Sequence, residues 1–334
     1  MAFRLASHRI SLVKAAVIYE NGGPDVLRYE DVADPVCPEG CVLVDVEAIS
    51  IEGGDLLARA GSEPASTPHV VGYLCAGTVS EVGTGVESPA VGEKVVALNA
   101  DGSHAEKRVV PAVMTWPIPD GLDPAVAACI PVALGTAQEC LFTAAGLEEG
   151  QTVLIQAGAG GVGMAAIQMA KRAGATVIST ASSDEKLERL KPLGLDHGIN
   201  YANESFVERV RELTDGRGVD VILDSVGGKN LVDGIEALAY RGTLVSVGVA
   251  ARVGSNIEAK ALWGKNNTLR GVYLGGAMLA EYPRVHPMIA GLIDQVASGD
   301  LHVEVDSSFP LAEAAAAHAY LESRKAFGRV VMTP

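Results

Sequence analysis

Residues 151–174 read QTVLIQAGAGGVGMAAIQMAKRAG. A short apolar run leads into Gly158-Ala159-Gly160-Gly161-Val162-Gly163, and apolar residues at helical spacing follow. Strand, glycine turn and helix are the setting in which G-x-G-x-x-G holds a dinucleotide pyrophosphate. A side chain there would block the backbone from the anion. The helix N-terminus supplies N–H groups and a positive dipole end.

The pattern continues downstream. ATVISTA (175–181), HGINY (197–201), VDVILDS (219–225), GTLVSVG (242–248) and TLRGVYLG (268–275) read as strands. DEKLERLKPLG (184–194), SFVERVRELT (205–214) and GIEALAY (234–240) read as helices between them. This alternation implies βαβ units and a parallel sheet. Upstream the signals are β-like: KAAVIYE (14–20), VLRYEDV (26–32), CVLVDVEAISI (41–51), CAGTVSEVG (75–83), EKVVAL (93–98) and EKRVVPA (106–112). Pro and Gly clusters bound these runs, so an antiparallel, partly barrel-like β domain is expected. Asp123-Pro124 opens a helix, and a second helix starts near Gly135-Thr136. The tail from about Ala277 reads as a long helix through Val296, strand LHVEVD (301–306), helix AEAAAAHAYLE (312–322) and strand GRVVMTP (328–334).

The second strand ends Thr180-Ala181-Ser182-Ser183, without the acid that binds the ribose 2′-hydroxyl of NAD. Its hydroxyls and Lys186 would accept a 2′-phosphate, so NADPH is favoured over NADH. Ser182 is also placed to cap the next helix, with Glu185 closing a capping box, and Asp184 could turn toward the ribose.

The chain has 334 residues and a net charge of −15, which argues against nucleic acid as a partner. Cys75, Cys129 and Cys140 read as small buried hydrophobes. Cys37 and Cys41 form a C-P-E-G-C loop, read as a surface turn or a redox pair. No apolar run reaches the ~18 residues of a membrane span. The first 13 residues carry Arg4, Ser7, His8, Arg9 and Ser11 without an acid, faintly like a transit peptide; a cytoplasmic protein with an N-terminal extension is favoured.

These marks, with Pro68-His69-Val70-Val71-Gly72, Ala76-Gly77-Thr78-Val79, Gly92-Glu93-Lys94-Val95, His104-Ala105-Glu106, Pro119-Asp120-Gly121-Leu122, Thr136-Ala137 and Asp224-Ser225-Val226-Gly227-Gly228, resemble zinc-free medium-chain dehydrogenase/reductases of the quinone oxidoreductase and zeta-crystallin type. The resemblance runs from about Lys14 to the C-terminus. It implies a GroES-like catalytic domain (1–126 and 275–334), a Rossmann domain (127–274) and a nicotinamide bound in the cleft. It implies Gly158, Gly160, Gly161 and Val162 at the pyrophosphate, and Ser182, Lys186 and Tyr201 around the 2′-phosphate and adenosine. Thr136, Ser225, Val226, Val247 and Gly248 would line the ribose and nicotinamide, and Arg324 would assist the phosphates. Gly72-Tyr73-Leu74 stands where zinc-dependent relatives carry a His-Glu pair, so no zinc is expected.

Glu52-Gly53-Gly54-Asp55 replaces the N-x-x-D common in quinone reductases, and Gly61-Ser62-Glu63-Pro64 lacks the tyrosine that often follows. The activity implied is hydride transfer from NADPH to a quinone or an α,β-unsaturated carbonyl. Thr136, Tyr73 or backbone N–H groups would stabilise the developing oxyanion, and Glu52 or Asp55 would relay a proton or hold structure at the cleft mouth. A crystallin-like or single-stranded nucleic-acid-binding role and an alcohol oxidation are the alternatives. A homodimer through TLRGVYLG is expected, unless that strand is an ordinary core strand.

Overall fold

The computed structural model describes residues 11–61 and 63–334. Arg4, Ser7, His8 and Arg9 of the N-terminal reading lie outside the described residues. The chain divides into two units: one holds residues up to Ala128 with Ser307–Lys325 and Val330–Pro334, the other Cys129–Asp306 with Ala326–Arg329.

In chain order the first unit opens with β1 (Leu12–Ile18), β2 (Arg28–Ala33), β3 (Cys41–Ser50), α1 (Gly53–Gly61), β4 (His69–Val70), β5 (Leu74–Val82), β6 (Lys94–Leu98), β7 (Lys107–Pro111), β8 (Thr115–Pro117) and α2 (Pro124–Ala127). β2, β1 and β4 form a small antiparallel sheet. β3 is the spine of a larger one: it pairs antiparallel with β5 and β7, and β5 carries β6, then β8. Its CVLVDVEAIS sequence buries Val42, Leu43, Val44, Val46, Ala48 and Ile49. Asp123 caps α2 by accepting the N–H of Ala125 at 2.9 Å, as the Asp-Pro signal predicts.

The second unit follows with α3 (Ile130–Gln138), β9 (Thr152–Ile155), α4 (Gly161–Arg172), β10 (Thr176–Ala181), α5 (Asp184–Leu190), β11 (His197–Asn200), α6 (Phe206–Leu213), β12 (Val219–Asp224), α7 (Lys229–Ala237), β13 (Leu238–Ser246), β14 (Thr268–Gly271), α8 (Leu274–Ala280) and α9 (Tyr282–Ala297). Its sheet runs β11-β10-β9-β12-β13-β14, all pairings parallel. β9 is buried at every position, as a strand covered on both faces must be. The strand order reverses between β9 and β12, so ligands are expected at the carboxyl ends of those strands. The tail adds β15 (Val305–Pro310), α10 (Ala314–Glu322) and β16 (Arg329–Thr333), whose Val331 and Met332 pair with Ser50 and Ile49 of β3.

Several expectations change. α1 was not anticipated in the β-rich half. The helix expected at GIEALAY begins at Lys229 and ends at Ala237; Leu238–Tyr240 already belong to β13, which bulges at Arg241 (φ 61°). The long tail helix is two helices, broken at Glu281 before Pro283. Residues 275–306 do not join the first unit. Gly135 of α3 lets Leu274 and Ile289 approach closely, and Val285, Ile289, Leu292 and Ile293 are buried. The tail strand lies later than LHVEVD, at Val305–Pro310. Pro124–Ala144 is a 21-residue stretch of successive helical pieces: α2, two turn residues (Ala128 and Cys129), α3 and a π-helical last part (Glu139–Ala144). By length and composition this stretch could cross a membrane, contrary to the sequence expectation; 72% of its most apolar window is buried inside the protein.

Candidate functional site

Two groups of candidate residues take shape, one in each unit. In the second unit, β9 delivers the chain into the glycine turn. Gly158 N–H bonds Thr180 O at 2.9 Å, Gly160 N–H bonds Ala157 O at 3.0 Å, and Met164 N–H closes the first turn of α4 on Gly160 O. A Cβ on Gly158 would lie 2.1 Å from Ser179 Oγ, and one on Gly163 2.4 Å from Ala157 O, so both glycines are required by packing. Gly160 is different. It is exposed, and a Cβ there would meet only Ala157 O, at 3.4 Å. Its open face, beside the first-turn N–H groups of Gly161 and Val162, fits a pyrophosphate.

At the carboxyl end of β12, the buried Asp224 side chain accepts N–H bonds from Val226 (2.9 Å) and Gly227 (3.1 Å). Burial pushes this carboxyl up, and those two bonds partly offset the rise. The turn it shapes holds Ser225 and Val226. Val247 N–H bonds Asp224 O, and Gly248 packs so close that a Cβ would lie 2.6 Å from Ser225 O. The fold thus gathers Ser225, Val226, Val247 and Gly248 on neighbouring strand ends. Thr136 is buried on α3.

The β10 tip departs from the sequence reading. Thr180 is 1% exposed; its Oγ1 accepts the N–H of Ala157 at 3.1 Å and donates to Gln156 Oε1 at 2.8 Å. That hydroxyl is therefore spent inside the protein and is not offered to a phosphate. Ser183, not Ser182, caps α5, accepting the N–H of Lys186. Ser182 is half-buried, Tyr201 is exposed after β11, and Asp184 accepts from Asn200 Nδ2 at 2.9 Å. Lys186 Nζ donates to Ala326 O at 2.8 Å, and burial lowers its pKa. Arg324 belongs to the first unit, exposed just after α10.

In the first unit, Glu52, Asp55 and Tyr73 come together. Asp55 is fully buried. One carboxylate oxygen takes the N–H of Glu52 (2.7 Å), the other the N–H of Tyr73 (3.1 Å). The first bond is the returning half of a capping box at the start of α1. Ser50 Oγ donates to Glu52 Oε1 at 3.0 Å. The Tyr73 ring lies against Gly54, where a Cβ would fall 2.4 Å from its hydroxyl.

Sequence reasoning missed Arg108. Its buried guanidinium donates to the carbonyls of Tyr73 (2.8 Å), Gly72 (3.2 Å), Ala97 (3.2 Å), Asn99 (3.2 Å) and Asp101 (3.1 Å from Nε). No carboxylate lies within ion-pair distance of it among the described residues. Tyr73 is thus gripped at both ends of its backbone, by Asp55 at N–H and by Arg108 at C=O. The same residues bear on zinc. Tyr73-Leu74 offers no ligand pair, the adjacent Arg108 is cationic, and no three His, Cys, Asp or Glu converge as a metal site among the described residues. This donor set does not fit zinc.

Behind the first unit's site runs a second buried chain. Arg59 pairs with Glu322 and approaches His318 Nδ1 at 3.4 Å, His318 Nε2 meets His104 Nε2 at 2.9 Å, and His104 Nδ1 meets Ser103 Oγ at 3.1 Å. Arginine only donates, so His318 Nδ1 accepts. The proton then sits on His318 Nε2 and is donated to His104. Gly72 (φ 108°) lies against this chain: a Cβ would fall 2.0 Å from His104 Nδ1.

Comparison with known proteins agrees with this geometry. Residues 38–120 match the alcohol dehydrogenase GroES-like domain and residues 161–291 the zinc-binding dehydrogenase domain. The chain is 36% identical to a 2-haloacrylate reductase of Burkholderia sp., over 97% of this chain and 99% of that protein. It is 34% identical to a quinone oxidoreductase of Pseudomonas aeruginosa, over 94% and 97%. The crystal structure of Escherichia coli quinone oxidoreductase complexed with NADPH superposes with a TM-score of 0.91 at 30% identity, covering 96% of this chain and all of that one. A GroES-like unit, a doubly wound unit with an open glycine turn, and relatives matched over nearly their whole length together make this chain a member of the medium-chain dehydrogenase/reductase family, of the quinone oxidoreductase type.

Proposed function

We propose that this protein is an NADPH-dependent reductase that delivers a hydride to a quinone or an α,β-unsaturated carbonyl without zinc. The observation that carries the reading is the glycine turn at the carboxyl end of β9, closed by packing at Gly158 and Gly163 and open at Gly160. Support also comes from the relatives: one was solved with NADPH, and another is named for reducing 2-haloacrylate, an activated alkene.

When bound, the cofactor supplies the hydride. The chain's residues do the rest. Gly161 and Val162 present their first-turn backbone N–H groups to the pyrophosphate, and Gly158 and Gly160, whose N–H groups are bonded within the turn, shape it and let the phosphates approach. Ser182, Lys186, Tyr201 and Arg324 take the 2′-phosphate end. Ser225, Val226, Val247, Gly248 and Thr136 orient the ribose and nicotinamide. Tyr73 or Thr136 donates to the acceptor oxygen as negative charge builds there. Glu52 moves the proton, and Asp55, with both oxygens committed, positions Tyr73. The net charge of −15 favours small-molecule partners over nucleic acid, and the reading includes a cytoplasmic homodimer paired through β14. That strand is the outer edge of its sheet, with Trp263, Leu269, Tyr273 and Leu279 exposed on or near it.

The test is binding and oxidation of NADPH and NADH, followed by fluorescence and at 340 nm. The acceptors are 1,4-benzoquinone, 9,10-phenanthrenequinone, enones and a 2-haloacrylate. NADPH-selective turnover is expected, and the best acceptor separates quinone from alkene reduction. Tight binding with no turnover on any acceptor would favour a binding role instead. Glu52→Gln is expected to lower kcat roughly 10- to 100-fold at unchanged KM, the usual size of a lost proton-transfer group; an unchanged kcat removes Glu52 from the chemistry.

A further inference from the structure

We infer that Thr180 and Gln156 are positioning residues of the cofactor turn, acting through the backbone of Ala157. Ala157 is a non-glycine residue at φ 54°, a left-handed conformation that its Cβ disfavours. That conformation fixes the turn on both sides. It aims the Ala157 carbonyl at the N–H of Gly160 (3.0 Å) and against Gly163, where a Cβ would fall 2.4 Å away. Something must hold Ala157 there, and its N–H shows what does: it donates to Thr180 Oγ1 at 3.1 Å.

The direction of the remaining bonds follows. Having accepted one proton, the Thr180 hydroxyl donates its own to Gln156 Oε1 at 2.8 Å, which also takes Asn230 Nδ2 at 3.4 Å. Only an oxygen can accept both, which fixes the orientation of the amide. Gln156 and Thr180 are 0% and 1% exposed, so each bond is strong and each unpaired atom costly. Gln156 Nε2 is buried without a hydrogen-bond partner. An apolar side chain would avoid that cost. What the amide contributes is the oxygen that orients Thr180. The ends of β9 and β10 and the start of α7 are thereby tied to one backbone N–H, the one that sets the shape of the pyrophosphate turn.

The inference rests on the NADPH reading above, and direct NADPH binding to the purified chain, read by fluorescence, tests it without turnover. Thr180→Val keeps the shape and removes both bonds; it is expected to raise the NADPH Kd about tenfold, the loss of one buried hydrogen bond. Thr180→Ser keeps the hydroxyl and is expected to stay within about twofold. The decisive variant adds Ala157→Gly to Thr180→Val. Glycine adopts positive φ without help, so binding should return to within about threefold of wild type. If Thr180→Val does not fold, Gln156→Met removes the oxygen at similar bulk, with about a fivefold loss that Ala157→Gly again restores. A folded Thr180→Val with wild-type Kd, or a loss that Ala157→Gly does not restore, overturns the inference. Wild-type protein that does not bind NADPH overturns the cofactor reading and this inference with it.

Discussion

The buried histidine chain of the first unit makes acid stability a sharp test of its hydrogen-bond direction. His318 is fully buried; burial pushes its pKa down from 6.5 to about 3, the Arg59 charge adds to that, and Glu322 opposes it. His104, also fully buried, is held down by burial, by His318 and by Arg108. With the folded pKa below the unfolded one, the unfolded chain takes up the proton first as pH falls. Stability is full above about 6.5 and is lost progressively down to about 3. Between pH 7 and pH 5 the His318 contribution falls by about 2 kcal/mol. Replacing His318 by Gln keeps an amide where the ring makes its bonds and removes the titration. Denaturant unfolding at both pH values, for wild type and H318Q, measures the difference. The wild type should lose about 2 kcal/mol more than the variant over that interval. Equal losses would mean that His318 is protonated in the folded state, and the assignment of Nδ1 as acceptor from Arg59 would fail.

Three further outcomes follow from the same geometry. Lys186→Ala should reduce the NADPH-over-NADH affinity ratio by about tenfold, one screened charge pair; an unchanged ratio would mean that Nζ stays on the Ala326 carbonyl when cofactor binds. Arg108→Met should lower the unfolding free energy by ~3 kcal/mol, because five carbonyls, those of Gly72 and Ala97 buried, lose a charged donor; wild-type stability in urea would show that water and the remaining donors satisfy them equally. Leu269→Asp, on the open edge of β14, should convert a dimer to a monomer in light scattering, with NADPH binding retained; a species of unchanged mass would remove that edge from the interface.

Much of the second unit was legible because its signals are local. A parallel strand covered on both faces reads as a nearly continuous apolar run, and Val153-Leu154-Ile155 of β9 and Val221-Ile222-Leu223 of β12 say so within three residues each. The glycine turn is equally local, since strand, glycines and helix are contiguous. The errors came where local signals conflict. α7 starts earlier than expected because Gly228, at φ 57°, makes the entry turn, and the helix stops where β13 takes over Leu238. α1 was missed because Gly53 and Gly54 are poor helix formers; the helix starts there because Asp55 reaches back to Glu52 and the Tyr73 ring needs the space at Gly54.

The polar partners inside the site were the least legible, and the reason is distance along the chain. His104 meets His318 across 214 positions, Arg108 meets Gly72 across 36, and Thr180 meets Gln156 across 24. Composition marks each as an ordinary surface residue, because most Arg, Gln and Thr side chains are exposed. Only the fold shows which are buried, and a buried polar group must find its partner or destabilise the protein. This changes the chemical reading of Asp55. In the sequence it is an acid near another acid, open to either a proton relay or a structural role. In the structure its two oxygens are occupied by two backbone N–H groups, one of them that of Tyr73. A carboxylate spent in that way cannot give up its bonds in each turnover without releasing Tyr73. In the proposed mechanism the two acids therefore differ: Asp55 holds the Tyr73 backbone, and Glu52, which accepts a bond from Ser50 Oγ at 3.0 Å, relays the proton.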